Sequence, residues 1–120
     1  MTTITEYTGP MRFAAPGERR VARKLIDAIL RRGYVISTHN GEYWSTKQTG
    51  DRDSILAELC ATEQDTVAFR KPGADTRAGS FFLFWFNDKS GEELIADYTD
   101  NDETNAIYRE VMGRDDDDWS

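Results

Sequence analysis

Residues 34–47 read YVISTHNGEYWSTK, and this stretch decides the fold. Asn40-Gly41 is the preferred pair for a two-residue type I′ turn, and β-forming residues flank it on both sides. The spacing predicts strands over Tyr34–His39 and Glu42–Lys47, with His39 opposite Glu42 and Ser37 opposite Trp44. Val35 and Trp44 then share one face, and Tyr34, Ile36 and Tyr43 the other. Apolar groups stand on both, so the pattern leaves open which one meets the core.

N-terminal to the hairpin, Val21, Ala22, Leu25, Ile26, Ile29 and Leu30 recur at three- and four-residue spacing, which predicts a helix from Gly17 to Arg32. Pro16 and Glu18 suit its first turn, Arg31 and Arg32 its last, and Gly33 the left-handed residue that ends it. On the C-terminal side, Asp51 is placed to cap a short helix over Arg52–Ala61, with Ile55, Leu56 and Leu59 inward. Strands over Thr66–Arg70, Ser80–Asn87 and Glu92–Tyr98 follow, joined through Lys71-Pro72-Gly73 and Asp88-Lys89-Ser90-Gly91. The middle one, SFFLFWFN, is apolar at successive positions, the pattern of a central strand covered on both faces. A last helix is expected near 101–112, capped by Asp100 or Asp102 and ended by Gly113.

The order α-β-β-α-β-β-β-α predicts an α+β domain, an antiparallel sheet of about five strands with helices packed against it. One domain spans residues 17–113. Residues 1–16 are expected to form an N-terminal arm or a short edge strand near Ile4–Tyr7, and 114–120 an acidic flexible tail. A chain of 120 residues with 38% hydrophobic and 12% aromatic residues is enough for one core without metal or disulfide. The single cysteine, Cys60, excludes an intramolecular disulfide. The start of the chain carries no basic segment leading into an apolar run, and the longest apolar run, Phe81–Phe86, is too short for a bilayer, so cytoplasm is the expected compartment.

The formal net charge of −7 is uneven. Residues 1–60 hold nine basic and seven acidic side chains, and 61–120 hold six and fifteen. Such a balance argues against general nucleic-acid binding and against an anionic membrane surface.

Catalytic and metal motifs are weak. With one histidine, His39, a histidine-rich metal site is impossible. A Cys60–His39 pair needs a hairpin tip to meet a helix end, and Cys60 reads as a small buried hydrophobe. The run Asp97–Glu103 resembles a calcium loop, but the sixth and twelfth positions from Asp100 are Asn105 and Val111 where Gly and Glu are required. No phosphate-binding glycine motif is present. No catalytic residue, cofactor or metal is therefore expected.

The candidate interaction residues are two charged sets. Glu92, Glu93, Asp97, Asp100 and Asp102 belong to a segment, 92–103, with six acids and no base. Arg19, Arg20, Arg23 and Lys24 form the polar side of the first helix. A solvated surface is the ordinary explanation of both. Three helices are also too few to cover both faces of a five-stranded sheet, and a leftover apolar face would be an interaction surface for a protein partner or a homodimer.

The helix, the THNGEYW hairpin, the DRDSILAEL helix, the aromatic strand ending in Asn87 and ELIADYT together resemble small uncharacterised acidic proteins of bacterial chromosomes, plasmids and phages, over about residues 18–112. That resemblance implies an accessory context and brings no activity or site. The function expected is a non-catalytic protein-interaction or regulatory module. The alternatives are an acidic nucleic-acid mimic that inhibits a nuclease or host-defence enzyme, with Glu93 and Asp97 spaced along a strand, and a small enzyme using Asp75, Arg77, Glu42 and His39 from separate loops.

Overall fold

The computed structural model describes residues 9–113; the part of the expected 1–16 arm before Gly9, with its expected edge strand, and the tail after Gly113 lie outside the described residues. A 3₁₀ turn over Pro10–Phe13 leads into α1 (Pro16–Arg31), followed by β1 (Val35–His39), β2 (Trp44–Thr49), α2 (Arg52–Glu58), β3 (Gln64–Arg70), β4 (Gly79–Phe84), β5 (Ile95–Tyr98) and α3 (Asp102–Met112). This is the α+β order read from the sequence. The strands form one sheet in the order β2-β1-β3-β4-β5, every neighbouring pair antiparallel.

All three helices pack on one face. α1 lies against both α2 and α3, and each helix reaches the sheet from that side. Ile36, Val67, Phe69, Phe81 and Leu83 point into the layer between and are essentially inaccessible. They meet Val21, Leu25, Ile26 and Ile29 from α1, Ile55 and Leu56 from α2, and Ile107 and Val111 from α3. Tyr34 and Ile36 thus mark the core side of the first hairpin. No helix among the described residues is long and apolar enough to cross a membrane.

Several boundaries differ from the expected ones, each for a local physical reason. The β1–β2 connection is four residues, Asn40–Tyr43, instead of a two-residue I′ turn, and His39 pairs with Trp44. Only Gly41 takes positive φ there, at +98°. Asn40 is buried, and its side-chain carbonyl accepts from the amides of Glu42 (2.9 Å) and Tyr43 (3.0 Å). The asparagine closes the loop with its side chain, so its backbone need not become left-handed. Helix α2 stops at Glu58, short of Ala61. Leu59 is extended and Cys60 sits at φ +71°, its amide held by the Asp65 carboxylate at 2.8 Å.

Strand β4 is not central: β3 is. Its accessibility alternates, with Phe81 and Leu83 buried and Phe82 and Phe84 half-exposed, because helices cover one face only. It ends at Phe84, short of Asn87. Beyond it, Glu18 of α1 accepts from the amides of Phe86 (2.9 Å) and Asp88 (3.0 Å) and turns the chain, with Asn87 at φ +65°. Strand β5 begins at Ile95 instead of Glu92, since residues 88–93 form a turn closed by the Asp88 carboxylate, which accepts from Ser90 and Glu93. The cap of α3 is Asn101, whose side-chain oxygen accepts from the Thr104 amide at 2.9 Å, and neither Asp100 nor Asp102.

Candidate interaction surface

Side chains alternate along a strand, so burying one set on the helices presents the other to the opposite side. Directly paired residues share a face. The registers link Trp44 to His39, His39 to Thr66, Thr66 to Phe82 and Phe82 to Asp97, one row across all five strands. A second row joins Ser37, Ala68 and Ser80, and Gln64 pairs with Phe84.

This open face is aromatic along β4 and beyond. Phe82 and Phe84 stack with ring centroids 6.3 Å apart, and Phe84 meets Phe86 at 4.6 Å. Phe86 is 55% exposed. At the β2 edge Trp44 is 38% exposed, with the His39 ring edge-on at 4.9 Å and the Arg77 guanidinium carbon 5.5 Å from its ring centroid. Ser37, Trp44, Lys47, Gln48 and Arg70 line a shallow concavity of about 260 Å³ beside it. Sequence reasoning anticipated a spare apolar face but not its members, since which of two apolar strand faces meets the helices depends on residues far along the chain.

The acidic candidates are all exposed and are spread around the β5 edge. Asp97 lies on β5 at the end of the cross-sheet row, and Glu92 and Glu93 sit in the turn before it. Asp102 opens α3, and Asp100 accepts from the Asn105 side chain at 3.2 Å. Glu93 is not on the strand, so the spaced Glu93–Asp97 row is not formed. The basic candidates lie on α1, in the helix layer away from the open face. Arg19 donates to the Ala14 carbonyl at 2.6 Å, Arg20 to the Ser90 carbonyl at 3.4 Å, Arg23 is half-buried and Lys24 lines a groove with Asp27, Arg31 and Glu110. Of the four scattered polar residues considered for catalysis, His39 and Arg77 converge on Trp44.

A second group, missed in the sequence, lies at the opposite end of the helix layer from α3's cap. Glu18 and Asp65 are wholly buried carboxylates. Glu18 spends its oxygens on three backbone amides, those of Ala15 (3.2 Å), Phe86 and Asp88. In Asp65, Oδ2 accepts from the Cys60 amide and from the Trp85 indole at 2.9 Å, while Oδ1 has no partner among the described residues. Burial is the main reason its acid is pushed up to about 6. Burial and the Asp65 and Glu18 carboxylates push the Cys60 thiol up to about 11. A thiol so placed is a poor nucleophile at neutral pH. A cleft of about 340 Å³ opens alongside, lined by Glu18, Cys60, Thr62, Trp85 and Asn87 among others. Among the described residues no group of three or more His, Cys, Asp or Glu side chains is placed to hold a metal.

No family model matches the chain, and no curated protein or solved structure matches it. The surface itself, with its geometry and charge, is what bears on function.

Proposed function

We propose that this protein is a non-catalytic interaction module that binds a protein partner through the open face of its sheet. The observation that carries the reading is the run of half-exposed Phe82 and Phe84 and exposed Phe86, with exposed Trp44 at the β2 edge of the same face, which no described helix covers. Scattered exposed apolar residues are ordinary, whereas a contiguous aromatic patch is costly to leave in water and is typical of binding surfaces. The polar groups best suited to chemistry are otherwise engaged. Glu18 and Asp65 hold backbone amides, Cys60 is held as a neutral thiol, and His39 packs on Trp44. An accessory role in a bacterial or phage setting is the context its sequence resemblance suggests.

The test is recovery of partners on full-length bait, compared between wild type, Phe84→Glu and Lys24→Glu. A partner kept by Lys24→Glu and lost by Phe84→Glu supports the open face. Equal recovery on all three baits, or a turnover abolished by changing one polar residue, overturns the reading. The acidic mimic is the second reading, favoured by the exposure of Glu92, Glu93, Asp97, Asp100 and Asp102 around one sheet edge. Recovery of a nuclease whose binding collapses in high salt would move the assignment there.

A further inference from the structure

Resting on the reading of the open face as a binding surface, we propose that its partner is a second copy of this chain. The two sheets pack face to face about a two-fold axis that lies midway between them, parallel to the strands and over β3. Charge is laid out unevenly along the row Trp44–His39–Thr66–Phe82–Asp97, and that layout points to this partner.

At the β2 end cations outnumber acids, three against the nearby Glu42 and Asp75. Arg77 lies over Trp44, with Lys47 and Arg70 beside it, and among the described residues no carboxylate pairs with any of the three. On the helix side Arg52 pairs with Asp27, and Arg31 and Arg32 both pair with Glu110. At the β5 end the row is acidic. Asp97 is exposed and shares that edge with Glu92 and Glu93, which also lack ion-pair partners among the described residues. Between the ends lie Phe82 and Phe84. A chain carrying 22 acids and 15 bases has acids enough to neutralise three cations locally. It leaves them separated across an aromatic strip.

An isologous contact requires the patch to complement itself under rotation. A two-fold parallel to the strands exchanges the two edges. Trp44 and Arg77 of one copy then face Asp97 of the other, His39 faces Phe82, and Thr66 meets its own copy at the axis. A two-fold in the sheet plane but across the strands stacks each edge on itself, cations on cations and acids on acids, which is repulsive. The charge layout therefore selects one axis of the two. Five strands about 4.8 Å apart and six residues at about 3.3 Å make a face of roughly 24 by 20 Å, so the pair buries on the order of 1,000 Å² in total. That is near the lower bound for specific association, and the dimer is accordingly weak and concentration-dependent.

Sedimentation equilibrium of the full chain from about 5 to about 500 μM, the range a small interface demands, tests this. Wild type is expected to dimerise within it. Arg77→Glu and Asp97→Arg each weaken the dimer on the order of tenfold, and the double reversal restores it, since both symmetry-related contacts are re-formed. Circular dichroism confirms that these exposed-site variants fold. Single reversals that tighten or ignore association, or a double reversal that does not recover, overturn this two-fold. A wild type that stays monomeric overturns the second-copy proposal outright. The broader interaction reading is then decided separately, by whether Phe84→Glu still abolishes partner recovery.

Discussion

Asp65 is a buried acid on the core face of the sheet. Its carboxylate is wholly buried, accepts two hydrogen bonds on one oxygen and leaves the other unmatched. With the folded acid raised from 3.8 to about 6, the folded state holds a proton that the unfolded chain has released between those values. The contribution to stability is therefore fully present below pH 3.8, is lost as pH rises through about 6, and is flat above. Its full value is roughly 3 kcal/mol or less. Urea denaturation between pH 4.5 and 8 should show this fall in wild type and a flatter profile in Asp65→Asn, the comparison removing the other carboxylates. A parallel pair of profiles would mean that Asp65 is not buried as a titrating acid. Nothing in the sequence singled it out: Asp65 lies one residue before the predicted strand Thr66–Arg70, where an exposed turn acid is the ordinary expectation.

The helix–turn clamp belongs to the scale of elements. Gly17, at the start of α1, and Gly91, in the β4–β5 turn, touch backbone to backbone: a Cβ on Gly17 would stand 2.0 Å from the Lys89 carbonyl oxygen. Glu18 completes the contact by taking the amides of Phe86 and Asp88, ending β4 and fixing the turn that precedes β5. Removing that carboxylate leaves one buried and two part-buried amides without their acceptor. Glu18→Ala should therefore cost about 3 kcal/mol or more in urea unfolding, and Glu18→Gln distinctly less because one amide oxygen still accepts. Equal costs for the two would show that lost packing, and not unmet donors, sets the penalty. This clamp explains why the strand ends were the least legible part of the sequence. Glu18 reads there as a favourable first-turn acid, which it is, while its second job joins residues nearly seventy positions apart.

For the whole molecule, the division of β4 into a buried and an open set decides stability and, on the proposed reading, the binding surface. Phe81 is fully buried between Phe69 and Tyr98, with centroids 6.0 Å from each, whereas Phe82 and Phe84 keep one side in solvent. Phe81→Ala should cost about 3–5 kcal/mol in monomer stability, and Phe84→Thr about 1 kcal/mol or less. Comparable losses, read from chemical denaturation at low protein concentration, would mean that the open face is packed in the free chain. Element types and their order were determined by the sequence itself, because helical and strand periodicity are local and the α1 stripe, the flanks of Asn40-Gly41 and the aromatic run are unambiguous over a few turns. The identity of the central strand, the side of the sheet that the helices choose, the four-residue hairpin loop and the buried pair Glu18 and Asp65 were decided only in three dimensions. Each depends on which distant segment arrives to satisfy a donor or cover a ring. A sequence of apolar residues on both faces of a strand states how much surface must be hidden, and only the packed molecule determines which of it is.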